Sequence, residues 1–140
     1  MANAPSTGRE AIRTRQLEQL RALLSTVRPA NSFYESKLGD AGIDDTIDSL
    51  EKFSARCPFT TKDELVADQQ ANAPYGTNLT FPLAQYNRTH QTSGTSGKPL
   101  RWLDTPESWQ SMLESWKLVY RAAGVTATDR TLFAFSFGPF

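Results

Sequence analysis

The sequence predicts an α/β chain in which an N-terminal helical region leads into a β-hairpin and then a strand–helix–strand unit. Three observations carry that expectation. Apolar residues recur at helical spacing through roughly the first seventy positions. Two short strand-like stretches, the first of them alternating, flank a turn rich in glycine and serine. A strongly amphipathic stretch from Thr105 to Gly124 runs on into an apolar segment.

Thr7 and Glu10 form a capping-box pair ahead of Leu17, Leu20, Leu24 and Val27, which line one side of a helix that Arg28-Pro29 ends. Asn31 or Ser32 opens a second, short helix with Phe33, Tyr34 and Leu38 on one side, closed near Gly39 and Gly42. Residues 44–56 read as a third helix around Leu50 and Phe53, with Asp44, Asp45 and Asp48 at its start. A fourth begins within Pro58–Leu65, where Thr60 or Thr61 caps it and Asp63 and Glu64 suit its first turn. From Gln69 to Asn87 there is no charge, and Pro74, Gly76 and Pro82 break the chain into loop. Such an uncharged connection is expected to lie against protein.

Beyond it, Tyr86 to Thr92 alternates as a strand does, and Leu100 to Leu103 reads as a second strand across the turn Ser93–Pro99. Asp104 or Thr105 caps the next helix, with Pro106 in its first position and Glu107 complementing the dipole. Trp109, Met112, Leu113, Trp116, Tyr120 and Ala123 form its apolar stripe, and Gly124 ends it. Arg130–Phe137 is apolar on both faces, the pattern of a strand inside a helix-covered sheet. Strand, helix and strand at this spacing imply a parallel pair with a right-handed crossover. Residues 1–70 thus form a helical region, and residues 71–140 the start of a second domain built around the turn.

At 140 residues the chain has the length of a single domain. Fifteen Lys and Arg balance fifteen Asp and Glu, which argues against a nucleic-acid partner held by bulk positive charge. One cysteine, Cys57, excludes an internal disulfide and a multi-cysteine zinc site, and fits a reducing, cytoplasmic setting. The start, MANAPSTGRE, lacks the apolar core of a secretory signal, and no apolar run reaches bilayer-spanning length, so no membrane is expected. Four of the eight phenylalanines fall in the last eight residues, and no charge follows Arg130. A sequence ending on its most apolar segment reads as the front of a longer one, with an end prone to self-association.

The stretch Thr92–Pro99 carries the chemistry. Gly94 and Gly97 permit backbone N–H groups to point inward as an anion-binding nest. Ser93, Thr95 and Ser96 add hydroxyl donors, and Lys98 supplies a cation. That donor set suits a polyphosphate. It is not a Walker loop, because Thr92 stands where the first glycine should be and Pro99 where the magnesium-binding hydroxyl should be. It is not a dinucleotide fingerprint either, because Gly-x-Gly-x-x-Gly is absent. Elsewhere, His90 has no nucleophile or acid partner legible in the sequence and reads as a locally hydrogen-bonded strand histidine. Trp102, Trp109 and Trp116 read as packing residues, since basic residues are not concentrated around them. Asp44, Asp45 and Asp48 lack calcium-loop spacing, and Cys57 reads as a plain thiol.

Thr92-Ser93-Gly94-Thr95-Ser96-Gly97-Lys98-Pro99 resembles the phosphate-loop signature of the adenylate-forming superfamily of acyl-CoA synthetases, luciferases and peptide-synthetase adenylation domains. Pro58–Leu65 resembles the "PFTTKDDL" segment of the phenylacetate–CoA ligase branch, and Arg88-Thr89-His90 precedes the loop much as "RIHA" does there. Downstream, the Trp109 helix, Ala122-Ala123-Gly124-Val125 and Ala134–Phe140 resemble further segments of that branch. The likeness is close over residues 50–140 and loose before them.

The resemblance implies ATP-dependent activation of a carboxylic acid, aryl or aliphatic, to an acyl-adenylate. Pyrophosphate is released and a thioester with coenzyme A follows, with Mg2+ accompanying the nucleotide. By the same carry-over Thr92, Ser93, Gly94, Thr95, Ser96, Gly97 and Lys98 embrace the β- and γ-phosphates, and Phe135 or Phe137 lines the acyl pocket. The hairpin and strand–helix–strand unit would open the family's large AMP-binding domain. The rest of that domain, and the small domain with the catalytic lysine, would lie past Phe140. Lys98 is not that lysine, so no catalytic residue and no metal ligand is assigned. The chain alone is expected to contribute phosphate binding without completing catalysis. The alternative is a non-enzymatic module, either a degenerate nucleotide binder or a helical interaction domain on residues 1–70.

Overall fold

The structure, a computed structural model, describes residues 8–93 and 98–134. The chain divides into two compact units, Met1–Phe81 and Pro82–Phe140.

The first unit holds four helices: α1 (Gly8–Val27), α2 (Ser32–Asp40), α3 (Leu50–Arg56) and α4 (Lys62–Ala71). The stripe expected on α1 is real. Leu24 is buried with Leu38, Ile43 and Ile47, and Leu17, Leu20, Tyr34, Phe53 and Cys57 pack around them. Thr7, expected to cap α1, lies outside the described residues. Asn31 caps α2, its Oδ1 accepting from the Tyr34 N–H. Its amide Nδ2 donates to Asn78 Oδ1 and Thr80 Oγ1, each at 3.1 Å. This buried asparagine therefore fastens the uncharged connection to the helices. Residues 75–80 are half-buried, as expected of an uncharged loop, whereas residues 70–74 and 81–85 are exposed.

The third helix starts later than its sequence suggests. The Asp44 carboxylate accepts from the Thr46 N–H and hydroxyl, a local turn that competes with helix, and Ser49 then caps α3. Ile43 and Ile47 fill the core from this turn rather than from a helix face. Thr61 caps α4 in a full capping box: its Oγ1 accepts from the Glu64 N–H, and Glu64 Oε2 accepts from the Thr61 N–H at 2.6 Å. From within α4, the Asp68 carboxylate accepts from the N–H and hydroxyl of Thr77 beyond the helix end, both at 2.7 Å. Gly76 sits at φ +77°, where an added Cβ would lie 2.2 Å from Asp68 Oδ2, so both conformation and space call for glycine.

In the second unit a short 3-10 turn (Leu83–Gln85) precedes β1 (Arg88–Gln91) and β2 (Arg101–Asp104), and α5 (Pro106–Ala122) follows. The strands pair antiparallel with Arg88 opposite Asp104, Thr89 opposite Leu103, His90 opposite Trp102 and Gln91 opposite Arg101. Thr105, itself buried, caps α5 by accepting from the Ser108 N–H, and Pro106 occupies the first turn. Gly124, at φ +72°, closes it. The apolar stripe forms as expected, but Met112, Leu113, Trp116 and Tyr120 are exposed.

The expected third strand, over 130–137, is not found among the described residues. Residues 130–134 are exposed and in no strand, and 135–140, including Phe135 and Phe137, lie outside them. A strand exists by pairing, and the described sheet has two strands only. The parallel pair is thus not among the described elements, and the sheet there is antiparallel.

Glu64 gives the helical unit an acid-sensitive fastening. The Lys37 ammonium, 2.7 Å away, and then the Thr61 N–H hold its carboxyl down from 4.5 to about 2. A depressed carboxyl stabilises the fold fully above its unfolded value and loses that contribution as protons return. Acidification from pH 4.5 toward about 2 is therefore expected to lower the thermal midpoint more in the wild type than in Glu64→Gln. Parallel acid slopes in circular-dichroism melts of the two proteins would contradict this assignment.

Candidate functional site

The glycine- and serine-rich loop is set between β1 and β2, and its ends are pinned to one another. The Thr92 N–H donates to the Leu100 carbonyl at 3.0 Å, and the Leu100 N–H donates to Thr92 Oγ1 at 2.9 Å. At the far end of the ladder, the Asn87 N–H donates to the Asp104 carbonyl. Leu100 is 4% exposed, so its N–H has no water to turn to if Thr92 lets go. Thr92 spends a lone pair on this closure and keeps its own O–H as a donor.

Of the residues expected to hold phosphate, Thr92, Ser93 and Lys98 are described, and Gly94, Thr95, Ser96 and Gly97 lie outside the described residues. Ser93 and Lys98 are exposed at the two ends of the loop. An antiparallel ladder thus delivers a hydroxyl and an ammonium to either side of a closed hairpin base.

A second cluster escaped the sequence reading. Arg88 and His90, two residues apart on β1, both meet Trp109 of α5. The Arg88 guanidinium carbon lies 4.6 Å from the Trp109 ring centroid. The His90 imidazole stacks on the same ring at 5.5 Å and an interplanar angle of 9°. His90 Nε2 is buried and lies 3.2 Å from Asp104 Oδ2. The approach is not aligned with an N–H donor direction, so this is a close polar contact without a directed hydrogen bond. Asp104 is itself oriented by the Ser108 hydroxyl, which donates to its Oδ1 at 2.8 Å. The expectation of a local hydrogen bond to His90 is replaced by a carboxylate from the partner strand and an indole face. The period-two placement of Arg88 and His90 was the readable signal.

The tryptophans divide. Trp109 is half-buried under β1, whereas Trp102 and Trp116 are 41% and 50% exposed, so the packing role expected of all three holds for Trp109. Cys57 is half-buried against the helical core. A hollow of about 340 Å³ belongs to the helical unit, lined by Leu24, Ser25, Arg28, Pro29, Glu35 and Asp45. Its mixed charges do not select an anion. Among the described residues no three His, Cys, Asp or Glu side chains converge to hold a metal ion, and no helix is long and apolar enough to cross a membrane.

Replacing Thr92 by valine keeps the shape and removes the acceptor that closes the loop. Leaving a buried N–H unpaired costs roughly 1–3 kcal/mol. Amide exchange at Leu100 is therefore expected to quicken about tenfold or more in Thr92→Val, with the α1–α4 amides unchanged. An unaltered Leu100 rate would mean that the closure carries no weight.

No family model matches the chain. It is 32% identical over 136 residues to a phenylacetate-coenzyme A ligase of Pseudomonas putida, a match covering 94% of this chain and 29% of that protein. It is 36% identical over 92 residues to a phenylacetate-coenzyme A ligase of Thermus thermophilus, covering 65% of this chain and 19% of that one. Its fold matches a solved 2-hydroxyisobutyryl-CoA ligase in the postadenylation state, in complex with 2-HIB-AMP, with a TM-score of 0.75 at 22% identity. That match covers 91% of this chain and 29% of the ligase. The chain thus spans less than a third of the length of these proteins. Over nearly its whole length the chain is thus similar in sequence to a phenylacetate-coenzyme A ligase, and in fold to a 2-hydroxyisobutyryl-CoA ligase.

Proposed function

We propose that this chain carries the phosphate-gripping loop of an ATP-dependent acid–CoA ligase. One observation carries the reading. A loop with the donors of an anion nest, Thr92 to Lys98, hangs from a hairpin base closed between Thr92 and Leu100. The kinship to phenylacetate–CoA ligases supports it.

In the reaction so assigned, a carboxylate oxygen of an aryl or aliphatic acid attacks the α-phosphorus of ATP. The bond to the bridging oxygen breaks, and pyrophosphate leaves with the electron pair. The sulfur of coenzyme A then attacks the acyl carbon and expels AMP, giving the thioester. This chain's part is electrostatic. Backbone N–H groups at Gly94–Gly97, the hydroxyls of Ser93, Thr95 and Ser96, and the Lys98 ammonium would offset the charge that builds as pyrophosphate departs. Magnesium would arrive with the nucleotide as counter-charge. Phe135 and Phe137 would supply apolar wall to the acyl pocket. The residues assigned here bind phosphate, and none of them is given the acid-activating or thiol-activating step.

Two measurements on the 140-residue protein test the reading. Calorimetric titration with magnesium pyrophosphate is expected to give saturable binding that weakens about tenfold or more in Lys98→Ala, the loss of a charge-assisted contact. Acid-dependent ATP–pyrophosphate exchange is expected to stay at background. Equal affinity in both proteins, or binding by neither, would favour a non-enzymatic module. Measurable exchange would show that the chain is catalytically sufficient.

A further inference from the structure

The cluster beside the loop has no part in the reading above, yet it joins all three elements of its unit that flank the loop. His90 comes from β1, Asp104 from the end of β2, and Trp109 from the first turns of α5. His90 is two residues from Thr92, whose hydrogen bonds close the loop, and Asp104 ends the strand that leaves it. The charged groups facing the imidazole are Arg88 from its own strand and Asp104 from the partner strand, while α5 offers the Trp109 ring.

We infer that His90 is a positioning residue for the phosphate loop: it clasps the hairpin to α5 through Trp109 and Asp104, and its protonation tightens the clasp. The inference rests on the phosphate-loop reading of Thr92–Lys98. A neutral imidazole beside Asp104 Oδ2 gains only stacking, because its Nε2 makes no directed hydrogen bond there. Protonation gives it a full charge 3.2 Å from a carboxylate, with an indole face that also favours a cation. Arg88, sharing the Trp109 ring, opposes that charge and keeps the clasp reversible. Asp104 is held ready by the Ser108 hydroxyl at the cap of α5, so tightening draws β1 toward the helix start. A firmer hairpin base holds the Thr92 and Leu100 ends of the anion-binding stretch in place before the anion arrives.

The test compares pyrophosphate affinity of the 140-residue wild type, His90→Phe, Asp104→Asn and Lys98→Ala across roughly pH 5–8, where imidazoles titrate. Phenylalanine retains the stack without the charge. The ratio of wild-type to His90→Phe affinity cancels pyrophosphate's own protonation. That ratio is expected to be near one at the alkaline end and to rise about two- to fivefold at the acid end. Asp104→Asn is expected to abolish the rise. A flat ratio would reduce His90 to packing and overturn the proposal, and a rise that survives Asp104→Asn would mean direct attraction to the anion and overturn it too. Should Lys98→Ala bind as well as wild type, the phosphate-loop reading itself falls.

The clasp then has its own readout. In a Trp102→Phe/Trp116→Phe background, Trp109 emission is expected to drop on acidification through contact with the imidazolium, and His90→Phe is expected to remove the drop. Constant Trp109 emission in the histidine form would overturn the clasp whatever the loop binds. His90→Gln, which deletes the charge with a smaller side chain, guards against misfolding of the phenylalanine variant.

Discussion

A run of glycine, serine and threonine has little reason to hold one conformation, and ordering each residue costs on the order of 1–2 kcal/mol of backbone entropy. Two hydrogen bonds between Thr92 and Leu100 change that problem. They bring both ends of the run together and extend the β1–β2 ladder to the edge of the loop. Everything assigned to Ser93–Lys98 depends on that closure, because donors can preorganise around an anion only if the chain between them is already short and anchored. The register follows from the same pair. With Thr92 against Leu100, Arg88 falls opposite Asp104 and His90 opposite Trp102, which sets the charged cluster beside Trp109.

The helical unit is organised by polar fastenings as much as by its core. Leu24, Leu38, Ile43 and Ile47 form a small buried cluster. Asn31, buried at the start of α2, then ties down Asn78 and Thr80, while Asp68 gathers Thr77 from beyond the end of α4. Losing Asn31 would take a donor from Asn78 Oδ1 and Thr80 Oγ1, losing Asp68 would take an acceptor from the Thr77 N–H and hydroxyl, and such networks specify one arrangement of a loop more sharply than apolar contact does. The absence of charge between Gln69 and Asn87 makes sense in this light, at least for its half-buried part: these residues meet side-chain amides and hydroxyls, where a lysine or glutamate would need water.

Helix starts were legible to within one residue where chemistry is local, each expected pair (Asn31 or Ser32, Thr60 or Thr61, Asp104 or Thr105) containing the residue that caps. Asn31, Thr61 and Thr105 all cap as their side chains and following acids or proline indicate. The third helix was misread at Asp44–Asp48 because aspartate, threonine and serine can satisfy backbone donors without helix, and here Asp44 does so with Thr46. The loop could be recognised from its composition and from its likeness to a phosphate loop. The cluster at its base could not, because Arg88, His90, Asp104 and Trp109 meet only through strand register and the docking of α5, neither of which one-dimensional spacing supplies. The same distinction explains α5. Amphipathic periodicity foretold its stripe, but periodicity says nothing about what covers it, and Met112, Leu113 and Trp116 are exposed.

The most direct test of the loop's role is residue-resolved nuclear magnetic resonance of the labelled 140-residue chain titrated with magnesium pyrophosphate. Saturable shifts should concentrate on the Ser93–Lys98 amides and spread to Thr92, Leu100 and the Trp109 indole, while amides of α1–α4 stay still. Shifts centred instead on the Arg28 hollow of the helical unit, or none at saturating ligand, would contradict the assignment of phosphate binding to this hairpin.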